Sequence, residues 1–137
     1  MLISTRGRYA IRFLVDLAEN QGEGFITTRE IAERQEVSLK YTERLMALLS
    51  HGNFVSTQHG KGGGYRLQRN PDEYKISEIL IAMNEELAPV ECLTNKPNLC
   101  PRAKNCKTLS MWENLGTLIN NFFEGITLAD LMKGEIK

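Results

Sequence analysis

The sequence predicts a mainly α chain: a winged helix-turn-helix with a small β-hairpin wing, followed by a long C-terminal helix. Three observations carry that expectation. Two capped helix signals joined by a tight turn occupy about residues 28–51. A glycine-rich hairpin follows directly at about 54–67. Beyond residue 108, apolar side chains recur three and four apart.

In chain order, the segment after Ser4 reads as a helix, with Ala10, Phe13, Leu14, Leu17 and Ala18 on one face. Arg8, Arg12, Asp16 and Glu19 take the other face. After a turn over Asn20 to Gly24, Thr27-Thr28-Arg29-Glu30 offers a capping box, in which the Thr27 hydroxyl and the Glu30 carboxylate satisfy each other's backbone donors. A break at Val37 follows, and Ser38 caps a longer helix. That helix should turn Leu45, Leu48 and Leu49 inward and Lys40, Glu43 and Arg44 outward, with Tyr41 also toward the outer face. Gly52 should end it in the left-handed conformation, after His51 at its C-terminus. Two β-prone runs, Phe54 to Gln58 and Tyr65 to Leu67, flank His59-Gly60-Lys61-Gly62-Gly63-Gly64, and this is the wing.

Asn70-Pro71-Asp72 closes a first unit, residues 1–75. The second, 76–137, holds a helix from near Ser77, an aperiodic cysteine-rich loop over about 85–107, and a long helix from Thr108. The stripe Trp112, Leu115, Ile119 and Phe122 suits packing against another helix. Thr127 caps a last short helix.

The composition is that of a folded protein, with 42% hydrophobic and 25% charged residues. No apolar run is long enough for a membrane span and Met1 to Arg6 do not resemble a signal peptide, so the expected location is cytoplasmic. Basic and acidic residues balance at 17 each, but five basic residues face one acid between Val37 and Asn70. From Ile76 onward acids outnumber bases by eight to six.

A basic helix followed by a wing suits double-stranded DNA, whose major groove admits a helix and displays distinguishable base edges. Lys40 and Arg44 can meet phosphate or guanine, Glu43 can accept from a cytosine amino group, and Ser38 and Tyr41 suit phosphate. Thr28, at the start of the first of the two helices, joins this set. On the wing, His59 and Lys61 can reach phosphate or the minor groove, and Gly62 and Gly63 allow close backbone approach. The alternative is a solvated basic face with an ordinary hairpin turn.

Cys92-x7-Cys100-x5-Cys106 places every cysteine of the chain in one loop. Clustered thiols in a reducing compartment bind metal or sense redox state more often than they form structural disulfides. The irregular spacing favours an iron–sulfur cluster, 2Fe–2S or 4Fe–4S, over zinc, whose structural sites favour close C-x2-C pairs. A zinc site, a thiol redox switch and free cysteines are the alternatives. No acid, base and nucleophile set recurs near the thiols, so an enzyme is not expected.

Across nearly its whole length the chain resembles the Rrf-two family of bacterial transcriptional regulators. The similarity rests on Ile3 to Ala10, Ile31 to Gln35, Val37 to Glu43, Gly60 to Leu67 and Ile126 to Leu131. It implies a homodimer built on the long C-terminal helix and bound to palindromic operators. It also implies DNA contacts by Ser38, Tyr41 and Glu43, and Cys92, Cys100 and Cys106 as cluster ligands. Leu109 stands where one branch carries a fourth, histidine ligand, and Arg8 where another carries an aspartate. His59 stands where the wing has an arginine. The local candidates for a fourth ligand are Glu91, Glu85 and Glu86, with a non-protein ligand equally open. The competing reading is a cluster-free regulator answering to thiol oxidation, zinc or a partner protein.

Overall fold

The computed structural model describes residues 2–136, so Met1 and Lys137, the outer ends of the two expected units, lie outside the described residues. Helix α1 spans Thr5–Asn20, and the Ser4 side chain accepts from the Gly7 amide to cap it. Its Ala10, Phe13, Leu14 and Leu17 form the buried stripe at i, i+3, i+4 and i+7. Helix α2, Thr28–Gln35, begins at the full Thr27–Glu30 capping box and ends where Glu36 turns left-handed at φ 55°. Helix α3, Leu39–His51, is capped by Ser38.

Two expectations for α3 are corrected. Leu48 is 43% exposed, and Met46 takes its place inside with Thr42, Leu45 and Leu49. Those four fall at i, i+3, i+4 and i+7, and Leu48 lies off that stripe. The left-handed residue after the helix is Asn53, at φ 64°, while Gly52 has φ −80°. Asparagine reaches that region at low cost.

Strands β1, Val55–Gln58, and β2, Gly64–Leu67, form the antiparallel wing hairpin with Val55 opposite Leu67 and Gln58 opposite Gly64. A third rung is absent from the sequence reading. Ile26, in the turn before α2, exchanges two backbone hydrogen bonds with Tyr65, at 2.8 and 2.7 Å. The wing is therefore tied to the front of the helix-turn-helix as well as to its end.

Tyr74, fully buried, clamps the base of the hairpin. Its hydroxyl donates to the Phe54 carbonyl at 2.6 Å and accepts from the Gln68 and Arg69 amides at 3.0 and 3.1 Å.

Helix α4 runs from Ile76 to Ala82, one residue earlier than expected. After the cysteine loop, α5 spans Leu109–Glu124 and α6 Leu128–Met132. The boundary expected at residue 75 runs through the core. The Ile76 amide donates to the Ile126 carbonyl and the Leu128 amide to the Tyr74 carbonyl, each at 3.0 Å. Leu128, 0% exposed, belongs to the same apolar cluster as Phe13, Leu49 and Ile79. Burial of that kind makes Leu128→Ala cost about 2–5 kcal/mol.

The apolar stripe of α5 splits into two faces. Trp112, Ile119 and Phe123 are half-buried against the chain itself, whereas Met111, Leu115, Leu118 and Phe122 are exposed. No helix among the described residues is long and apolar enough to cross a membrane.

Candidate nucleic-acid interface and cysteine loop

Helix α3 presents Lys40, Glu43 and Arg44 to solvent, and none of them is ion-paired among the described residues. Other cations of the same stretch are engaged within the chain. Arg66 donates to the Glu23 carbonyl at 2.7 Å, and Arg69 pairs with Glu78 at 3.0 Å while lying over the Tyr74 ring. Of the five basic residues counted between Val37 and Asn70, Lys40, Arg44 and Lys61 are left for an anionic partner.

Ser38 is exposed and its hydroxyl accepts from the Tyr41 amide at 3.1 Å. Tyr41 is half-buried, its ring edge-on to Tyr9 of α1 at 6.0 Å between centroids. It joins α3 to α1 in addition to any outward role. Thr28 is half-buried at the first position of α2.

At the wing tip, His59, Lys61 and Gly62 are exposed and Gly63 is buried. A side chain at Gly63 would overlap the Gln58 carbonyl across the turn, so this glycine is required inside the hairpin. The Ser50 and Thr57 hydroxyls meet at 3.1 Å, linking the last turn of α3 to β1.

What holds these helices in place carries no local signal in the sequence. Asp16, expected on the solvent face, is 3% exposed. It accepts from Arg34 Nη2 at 2.6 Å, from Arg34 Nε at 2.9 and 3.2 Å, and from Gln35 Nε2 at 2.9 Å. Arg12 stacks over Tyr9 and donates to the Gln35 side-chain and backbone oxygens at 3.0 and 3.2 Å. The polar flank of α1 thus grips the end of α2. A run of Asp16, Arg34 and Gln35 carries no local signal that they meet.

Two residues beyond α4 the chain turns left-handed at Asn84, φ 59°, and the cysteine loop that follows contains two short 3-10 turns, Glu91–Leu93 and Ala103–Asn105. Cys92 and Cys100 are half-buried and line one open cleft with Glu91 and Asn95. Cys106 is exposed and lines a separate cleft with Arg102 and Lys107. Its Sγ lies 3.4 Å from the Thr108 hydroxyl, and that hydroxyl, the Thr108 and Leu109 amides and Arg102 lower the thiol pKa against a smaller desolvation penalty. Among the described residues no group of three or more His, Cys, Asp or Glu side chains is gathered to hold a metal ion.

The donors therefore fit a soft metal by chemistry, as three thiols on one loop, and the loop must rearrange for them to share one. Of the candidate fourth ligands, Glu85 is engaged with Ser4 at the start of α1, and Glu86 accepts from the Ala88 amide at 2.9 Å. Glu91 is exposed beside Cys92.

A winged helix-turn-helix with an unpaired basic reading surface defines the class: a DNA-binding transcriptional regulator rather than an enzyme. The chain belongs to the Rrf2 family, described as iron-dependent transcriptional regulators, whose profile matches residues 3–134. It is 34% identical to the HTH-type transcriptional regulator IscR of Aliivibrio salmonicida over 96% of this chain and 77% of that protein. Among solved structures it is similar to CymR, the global cysteine regulator of B. subtilis, with TM-score 0.81, 28% identity and 99% of both chains covered. It is also similar to T. potens IscR, with TM-score 0.75 and 32% identity over 98% of this chain and 88% of that one.

Proposed function

We propose that this regulator binds a palindromic operator as a homodimer, and that an iron–sulfur cluster on Cys92, Cys100 and Cys106 controls the binding. The observation that carries the cluster is the confinement of every cysteine in the chain to one exposed loop without a preformed disulfide. A bound cluster supplies iron–thiolate bonds that oxidants or exogenous ligands can break. The chain's part is to deliver three thiols and to let a change in the loop reach the reading helices.

The dimer is supported by the exposed face of α5. Met111, Leu115, Leu118 and Phe122 are spaced four, three and four apart, as in a seam between paired helices. Two copies of α3 held by such a seam would read successive major grooves, about 34–36 Å apart. Lys40, Arg44, Lys61 and His59 supply the electrostatic contacts and Glu43 the base contact, with Ser38, Tyr41 and Thr28 at the helix starts.

A second reading is favoured by Cys106, exposed and with a lowered thiol pKa, and by the similarity to a cysteine regulator. In it, thiol oxidation takes the place of the cluster. Anaerobic purification separates the two. The cluster reading expects coloured protein with iron and acid-labile sulfide, and loss of most of both in Cys100→Ala. One zinc per chain without sulfide overturns it, and colourless, metal-free protein leaves the thiol switch.

A further inference from the structure

Helix α1 has no acidic residue in its first turn, yet its N-terminus is held by a carboxylate. Helix N-termini favour negative charge because their first amides lack partners. Here the charge comes from Glu85, the third residue after α4 and the start of the cysteine loop. Glu85 Oε2 accepts from the Ser4 amide at 3.1 Å, and Oε1 contacts the Ser4 hydroxyl, which itself caps the Gly7 amide at 3.1 Å. The approach is close: a side chain at Gly7 would come within 2.9 Å of Glu85 Cγ and Cδ and would push the glutamate aside. Alongside, Arg6 Nε donates to the Met83 carbonyl at 3.0 Å. Desolvation pushes the Glu85 carboxyl up, but the Ser4 hydroxyl, the Ser4 and Gly7 amides and the Arg6 charge together bring its pKa below the ordinary value.

The same helix holds the reading elements further along. Tyr9 packs on Tyr41 of α3, and Arg12 and Asp16 grip Gln35 and Arg34 at the end of α2. One 16-residue helix, about 24 Å long, therefore runs from the first residue of the loop to both helices of the helix-turn-helix.

We propose that Glu85 is the positioning residue that couples the cysteine loop to the DNA-reading helices, through its clasp on Ser4 and Gly7. The proposal rests on the reading of that loop as the sensing element. When the loop changes shape, Glu85 shifts against the start of α1, and α1 carries the shift to Tyr41 and to Arg34. Coupling of this kind is reciprocal, so DNA binding must in turn change the loop. That reciprocity allows a test without any cluster.

Reduced, metal-free full-length protein is alkylated with iodoacetamide, with and without a duplex that the protein has selected from a random-sequence pool. The rate at each cysteine is read by peptide mass. Alkylation kept slow relative to loop opening follows the loop's equilibrium, so in the wild type saturating duplex should change the rate at Cys92 or Cys100 by about fivefold or more, the lower end of typical couplings. Glu85→Ala should abolish the change, and Glu85→Gln, which keeps the shape and one acceptor oxygen, should reduce it. Thr127→Ala removes the cap of α6 instead and should keep the wild-type ratio, which separates coupling from general loss of stability.

A wild type with no duplex effect overturns the proposal, as does an unchanged ratio in both Glu85 variants or an equal loss in Thr127→Ala. Iron and sulfide are assayed separately. A Glu85-dependent ratio supports the clasp, and protein that holds neither iron nor sulfide as purified without oxygen rejects the cluster. Cluster-bearing protein without the ratio rejects the clasp.

Discussion

Arg34→Met should destabilise the protein more than Asp16→Asn, although both break the same ion pair. The Asp16 side chain is 2% exposed and the Arg34 side chain 37%. In Arg34→Met the carboxylate loses three contacts at 2.6, 2.9 and 3.2 Å and keeps Gln35 at 2.9 Å. A buried charge stripped of its counter-ion costs about 3–5 kcal/mol. In Asp16→Asn the group left behind is a guanidinium already in contact with water, and asparagine retains one acceptor oxygen. Discounted for solvent screening, that loss is about 1–2 kcal/mol. The difference of about 2 kcal/mol corresponds to roughly 6–10 °C in midpoint for a chain of this length. Thermal and urea melts at one fixed protein concentration provide the measurement, because association makes midpoints concentration-dependent. The double variant should be more stable than Arg34→Met alone, since no buried charge remains. Equal losses in the two single variants, or a larger one in Asp16→Asn, would refute the assignment of the penalty to the buried carboxylate.

Lys61→Ala should weaken binding to all duplexes alike and lower the salt slope by about one, as loss of one phosphate contact does; binding isotherms over a salt series test it. Glu43→Ala should instead change which sequences are selected from a random pool, since a carboxylate at a base edge favours the cytosine amino group. Gly63→Ala should disorder the wing and reduce DNA affinity while leaving most of the helical circular dichroism, because the added methyl overlaps the Gln58 carbonyl. The stability gap between wild type and Glu85→Gln should depend on pH in one direction. The folded-state pKa of Glu85 is lowered, so its contribution is complete above the unfolded-state pKa and disappears as pH falls through the folded one. Melts at neutral and strongly acidic pH should show the gap at the former and its closure at the latter.

The sequence displayed the features whose physics is local. Ser38, Thr27 and Thr127 announce helix starts because each side chain bonds to an amide three residues on. The glycine run of the wing announces a turn in the same way. What the sequence hid joins distant positions. Asp16 is flanked by residues of a solvent face, and only the placement of α2 buries it. The Ile26 rung is too short to register as a strand, and the Glu85 clasp spans 81 residues. In α5 the 3.6-residue period supports two apolar stripes at once, and the choice between them depends on what the rest of the chain covers. The thiols were visible as a cluster in sequence, whereas their orientation within an aperiodic loop was not.

The return of α6 to the core has a consequence for how the chain acquires its shape during synthesis. Leu128 fills a space beside Tyr74, and the Thr127 backbone pairs with Lys75, so the reading unit lacks part of its interior until the segment after α5 has been made. Roughly fifty residues separate Tyr74 from Leu128, several seconds of translation at about 5–20 residues per second. For that interval the nascent helix-turn-helix has an open apolar face where α6 will sit. Helix α5, with its exposed apolar face, is synthesised before the helix-turn-helix unit can close. A chain whose helix-turn-helix core is complete therefore always carries that face already.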